Sequence, residues 1–216
     1  MQKKYVNLLL PALMLVAILA LASCANSGGG EEQGSSGSEN GMQGMAHGSE
    51  STDDASEMLM ENGQYSDERF IDAMVPHHQG AIEMAQVALE NAEHPEILAL
   101  AEEIVAAQES EIGQLKSIKQ EQFGTSEVSM DMSNEEMEGM GMMAMDPQEL
   151  ANQEPFDKAF IDNMIPHHKS AIEMATVVLG ESENPEIREI AEAIVDAQKR
   201  EIEQMTSWRD EWYPEG

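Results

Sequence analysis

Cysteine is nearly absent: Cys24 is the only one in 216 residues. A disulfide framework and a cysteine-based metal cage are therefore excluded. Basic residues are scarce, 11 Lys and Arg against 42 Asp and Glu, for a formal net charge of −31. Nucleic acid, which requires a basic face, is thereby excluded as a partner. Neither a nucleophile constellation nor a glycine-rich phosphate loop occurs, so nothing supports metal-free enzyme chemistry. Large apolar residues are almost missing from Ala25 to Asn62, a Gly-, Ser- and Glu-rich stretch that predicts a disordered tether.

The amino terminus is different in kind. Lys3 and Lys4 precede an apolar run from Tyr5 to Ala22 that closes on Leu21-Ala22-Ser23-Cys24. A basic start, an apolar middle and small residues at the end make a secretory signal. The run is at the short end for a membrane span. Its last four residues resemble the bacterial lipobox, which implies a lipidated Cys24 as the first mature residue. Removing the signal leaves 9 basic residues against the same 42 acidic ones. Such a field attracts cations and favours solubility. The expected layout is a lipoprotein signal over 1–23, a tether over 24–63 and a helical bundle over 64–216. The expected location is extracytoplasmic, on a bacterial membrane.

What is abundant is repetition. MVPHHQGAIEMA from Met74 returns as MIPHHKSAIEMA from Met164, and Phe70-Ile71-Asp72 returns as Phe160-Ile161-Asp162. The offset is 90 residues throughout, without a gap. Two copies are too few for a solenoid, and they predict a pseudo-symmetric pair. In each copy apolar residues recur at helical spacing, as with Phe70, Met74, Ala81, Ala85 and Ala88. Ser66 is a good N-cap, and Pro76 should kink the first helix near Asp72 without ending it. Pro95 and Pro185 open second helices. The expected helices are Ser66–Asn91, Pro95–Gln122, Pro155–Gly180 and Pro185–Trp212. They form an all-α four-helix bundle of two hairpins, 64–123 and 155–216, joined by a linker over 124–154.

The second helices carry apolar seams interrupted at matching places, by Gln108 and Glu111 and by Gln198 and Glu201. Polar groups on a core stripe require partners. With a turn near Glu93, His77 and His78 lie level with Gln108 and Glu111, and the second half places His167 and His168 level with Gln198 and Glu201. Adjacent helical residues point about 100° apart, so each histidine pair faces two neighbours. Glu83 and Glu173 fall on the outer face. Imidazole and carboxylate are transition-metal ligands, and Met74 and Met164, one turn before the histidines, could add sulfur. The same residues could instead form a hydrogen-bond network that fixes register. If they bind metal, histidines of ordinary pKa near 6.5 should release it as pH falls toward about 5.

The linker holds Met130, Met132, Met137, Met140, Met142, Met143 and Met145 among Gly, Ser, Asp and Glu, with Val128 the only other large apolar residue. Core methionines come mixed with Leu, Ile and Val. Thioether sulfur favours Cu(I), so these residues are candidate copper ligands in a disordered segment, Gly124 to Asp146. Met42, Met45 and His47 form a smaller cluster of the same kind in the tether.

The doubled F-I-D-x-M-[VI]-P-H-H…A-I-E-M-A, the A-x-Q-x-x-E-I element and the Met-rich segment resemble the bacterial domain of unknown function 305 family, from about Ser66 to Trp212. The resemblance implies a ferritin-like bundle, secreted or membrane-tethered, with copper handling as the recurring suggestion. A ferritin-type di-iron centre requires Glu-x-x-His on each of two helices, and this chain has no such motif. Copper binding or sequestration is the leading reading. A metal-dependent oxidase or hydrolase and a metal-free acidic interaction module are the alternatives.

Overall fold

The computed structural model describes residues 55–128 and 145–214. The expectations for Cys24, Met42, Met45, His47, Met130, Met132, Met137, Met140, Met142 and Met143 lie outside the described residues. Four long helices dominate: α1 (Asp67–Asn91), α2 (Pro95–Phe123), α4 (Phe156–Glu181) and α5 (Pro185–Trp212), with a short α3 (Pro147–Ala151) before α4. Their ends match the sequence signals to within a residue. Ser66 Oγ accepts the Arg69 N–H, and Asn184 Oδ1 accepts the Glu186 N–H. Helix α2 stops at Gly124, whose φ of 78° is the left-handed value that glycine adopts freely. Pro76 and Pro166 sit inside helices that run on past them. No helix among the described residues is long and apolar enough to cross a membrane.

Two expectations require correction. The domain begins before residue 64, because residues 55–58 are helical and Ala55, Met58 and Leu59 are buried in the core. Their spacing is that of one apolar face of a single helical turn, too short to stand out in a polar stretch. A small hairpin follows, β1 (Met60–Glu61) paired antiparallel with β2 (Gln64–Tyr65). It turns through Asn62 and Gly63, at φ 53° and 80°, the positive pair that two-residue hairpin loops select. The linker is also anchored at both ends. Val128 and Met145 pack on the core, Leu150 is fully buried, and Asp146 caps α3 ahead of Pro147. Met145 thus has the contacts of a core methionine.

Helices α1 and α2 form one hairpin and α4 and α5 the other, with α1 against α4 between them. The core is in two parts. One joins Phe70, Ile71 and Met74 of α1 with Leu115 of α2, Met174 and Val178 of α4, and Ile187 and Ile194 of α5. The other joins Met84 and Ala88 of α1 with Ile97 and Ile104 of α2, Phe160 and Met164 of α4, and Met205 of α5. The start of α1 thus meets the end of α4, so these two helices are antiparallel.

Polar contacts pin the ends. Lys119, buried, pairs with Asp72 and with Glu68 at 3.4 Å. The 90-residue repeat returns this as Arg209 with Asp162 at 2.5 Å. The turn of the first hairpin is held by the second: buried Asp157 accepts the N–H groups of Glu93 and His94 at 3.1 and 2.9 Å. His94 Nδ1 lies 2.5 Å from the same carboxylate, and the ring stacks on Trp212 at 3.8 Å. Replacing Asp157 with alanine strands these donors, at a cost of about 3 kcal/mol. Thermal unfolding of D157A should fall by about 6–12 °C. A drop under about 2 °C would show that Asp157 does not hold the turn.

Candidate metal centre

Between the two apolar clusters lies a layer of His77 and His78 from α1, Gln108 and Glu111 from α2, His167 and His168 from α4, and Gln198 and Glu201 from α5. All four histidines are at most 3% exposed, and so are both glutamines. The two glutamates sit at the edge, with side chains 15% and 14% exposed. The antiparallel hairpins bring them together because each histidine pair and its Gln/Glu pair are nearly equidistant from the turn.

Two interactions repeat faithfully. His78 Nε2 meets Glu111 Oε2 at 2.7 Å, and His168 Nε2 meets Glu201 Oε2 at 2.6 Å. An ionised carboxylate only accepts, so Nε2 carries the proton and, in a neutral ring, Nδ1 keeps its lone pair. Both Nδ1 atoms are buried and meet no hydrogen-bonding group among the described residues. The His77 and His167 rings meet across α1 and α4, with centroids 3.8 Å apart and planes at 38°. His77 Nε2 lies 2.8 Å from Ser170 Oγ, which donates to the His167 carbonyl at 2.7 Å. Among the described residues, His77 Nδ1 and both ring nitrogens of His167 are unpartnered, as are the Gln108 and Gln198 carbonyl oxygens.

Burial lowers the His77 pKa well below the ordinary 6.5, and the neighbouring His167, His78 and His168 lower it further. Burial, with His168 and His78, lowers His167 to about 3. Both are neutral imidazoles at neutral pH, the form that binds metal. The ordinary pKa expected of these two histidines is thereby revised, and His167 protonates only as pH approaches about 3.

Met74 and Met164 are fully buried one turn before the histidines, on opposite sides of the layer. Glu83 is exposed, and Glu173 is partly buried. Among the described residues, no three His, Cys, Asp or Glu side chains converge on one metal-sized position. Sequence reasoning missed Ser170, although its counterpart Gly80 is one of only three differences between the two twelve-residue motifs. A cleft of about 380 Å³ between α2 and α5 opens beside Glu111, with Glu121, Glu186 and Glu189 also on its walls.

The fold and this layer define an antiparallel helical bundle with an imidazole layer between two apolar cores. The chain belongs to the family described as Domain of unknown function (DUF305), whose profile matches residues 14–119 and 67–209. Among solved structures it is similar to CopM in the Cu(II)-bound form, with 43% identity over 69% of this chain and 99% of that one, at a TM-score of 0.63. The Cu(I)-bound form of CopM matches at 41% identity over the same shares, with a TM-score of 0.62. A DUF305 fragment from Deinococcus radiodurans matches at 26% identity over 65% of this chain and 93% of that one, with a TM-score of 0.59. Among curated proteins, uncharacterized protein L153 of Acanthamoeba polyphaga mimivirus is 38% identical over 55 residues, 26% of this chain. The chain spans 36% of the length of that relative.

Proposed function

We propose that this protein binds copper in the histidine layer, outside the cytoplasm, on a membrane anchor at lipidated Cys24, and sequesters the ion or passes it on. The carrying observation is the set of buried imidazole nitrogens that meet no partner among the described residues. A layer serving only to fix register would satisfy its members, because each unpaired buried polar group costs about 1–3 kcal/mol. Imidazole nitrogens with available lone pairs are ligands for copper in either state. The copper-bound forms of CopM, which the bundle resembles, favour the same ion.

Within this reading His77, His78, His167 and His168 are the ligands. Glu111 and Glu201 orient His78 and His168 through their Nε2–H groups, the usual partnership of a ligating histidine with a carboxylate. That role replaces the direct ligation expected for the two glutamates. Met74 and Met164 supply sulfur from either side, and Gln108 and Gln198 supply carbonyl oxygen. The mixed set of imidazole and thioether donors would suit Cu(I) as well as Cu(II). Met130, Met132, Met137, Met140, Met142 and Met143 collect Cu(I) ahead of the layer. Met145 is the least suited, since it packs on the core.

One experiment tests both parts. The untagged full chain and its Cys24→Ala variant are expressed in copper-, iron- and zinc-supplemented media, then fractionated and analysed for metal. Copper should be enriched over iron and zinc in the wild-type membrane fraction. The variant should appear as a soluble or unprocessed form with its copper retained. Protein without metal, or with zinc or iron alone, refutes copper binding. Identical mass and fractionation of the two proteins refute the anchor.

A further inference from the structure

The two halves of the layer repeat closely, and of the three positions at which their twelve-residue motifs differ, one places a hydroxyl against a histidine. Where α4 has Ser170, three residues after His167, α1 has Gly80, three residues after His77. A serine inside a helix satisfies its own proton by donating back one turn, and Ser170 Oγ does so to the His167 carbonyl at 2.7 Å. Its oxygen then accepts from the facing helix, where His77 Nε2 lies at 2.8 Å. Glycine has no hydroxyl to return the interaction. His167 is accordingly left with Nδ1 and Nε2 both buried and unpartnered, 3% exposed, against the face of the His77 ring.

We infer that Ser170 is a positioning residue that makes the two central histidines chemically unequal: His77 is locked as the Nε2–H tautomer with Nδ1 as its only donor atom, while His167 keeps both tautomers open. His78 and His168 are locked in the same way by their glutamates, so three imidazoles of the layer are fixed and one is adaptable. An ion held at the centre would therefore meet one rigid nitrogen from α1 and one from α4 whose tautomer is free to adjust. Holding the ring orientation and tautomer of a ligand is worth about 10–100-fold in metal affinity. The copper consequence rests on the function proposed above, whereas the tautomer assignment does not.

The test uses the metal-free full chain with labelled histidines and heteronuclear NMR of the ring nitrogens at neutral pH. His77 should show one protonated nitrogen and one bare nitrogen, whereas His167 should show two averaged ones. Ser170→Gly, which installs the residue the first repeat already carries, should make His77 resemble His167. Ser170→Thr, which keeps the hydroxyl, should preserve the wild-type pattern, and Gly80→Ser should lock His167. In Cu(I) competition titrations S170G should bind about tenfold more weakly, with S170T close to wild type. An unchanged His77 pattern in S170G, or a wild-type His167 as fixed as His77, overturns the inference. If the tautomers behave as stated but the layer takes up no copper, the positioning role stands and the copper reading falls.

Discussion

Replacing His77 and His167 together with alanine should abolish Cu(II) binding and spare part of the Cu(I) capacity. The two rings meet at the centre of the layer and contribute three of its unpartnered nitrogens. Imidazole is a good ligand for Cu(II), while thioether sulfur selects Cu(I). Losing two ligands should cost more than the 10–100-fold typical of losing an orienting partner, so Cu(II) affinity should fall by more than about a hundredfold. The complementary variant, lacking residues 130–145, should keep Cu(II) binding and lose most of its additional Cu(I) sites. Aerobic Cu(II) and anaerobic Cu(I) titrations of both variants, with circular dichroism to verify helicity, decide between these outcomes. Equal loss of the same sites in both variants would mean a single composite site. No loss in either would mean that the layer only fixes register.

Acid should destabilise the metal-free protein through the same two residues. His77 and His167 are held neutral, with folded-state pKa values below the ordinary 6.5 and about 3 for His167. Below about pH 6.5 the unfolded chain therefore binds protons that the folded chain refuses. Stability is fully present above that pH and falls toward about pH 3, where His167 protonates in place. The slope approaches about 1.4 kcal/mol per pH unit for each of the two residues. Denaturant unfolding between pH values of about 6.5 and 5, above most carboxylate titration, isolates this contribution. A His77→Gln, His167→Gln variant should be nearly flat across that window. An equal slope in wild type and variant would refute the assignment. Bound copper occupies the nitrogens that acid would protonate and should move the loss to lower pH.

The correspondence between sequence and structure is uneven in an instructive way. Ser66, Asn184, Pro95 and Pro185 mark helix starts by satisfying or removing orphan N–H groups, a local matter, and the helix ends follow. The doubled Pro-His-His and Gln-x-x-Glu were enough to place eight residues at one height, because an antiparallel hairpin converts sequence distance from its turn into level. The start of the domain was not legible. Ala55, Met58 and Leu59 make one apolar turn in a polar stretch, and what marks them as core is the cluster around Phe70 and Ile71 that they join. The Asn62-Gly63 hairpin was not legible either, since its strands are two residues each and carry no alternation that a pattern could detect.

The sequence by itself determined the helices, their pairing into two hairpins and the chemistry gathered in the layer, since periodicity, caps and ligand type are properties of short segments. Only the tertiary structure decided what each polar residue does there. Glu111 and Glu201 turn to the Nε2 of one histidine each, Ser170 reaches His77 across the seam 93 residues away in sequence, and His167 is left with two bare nitrogens. The physical reason is that hydrogen-bond partnership and desolvation depend on distances of a few ångströms between different helices. Those distances are set by how α1 packs on α2 and α4, and α4 on α5, which local sequence does not encode.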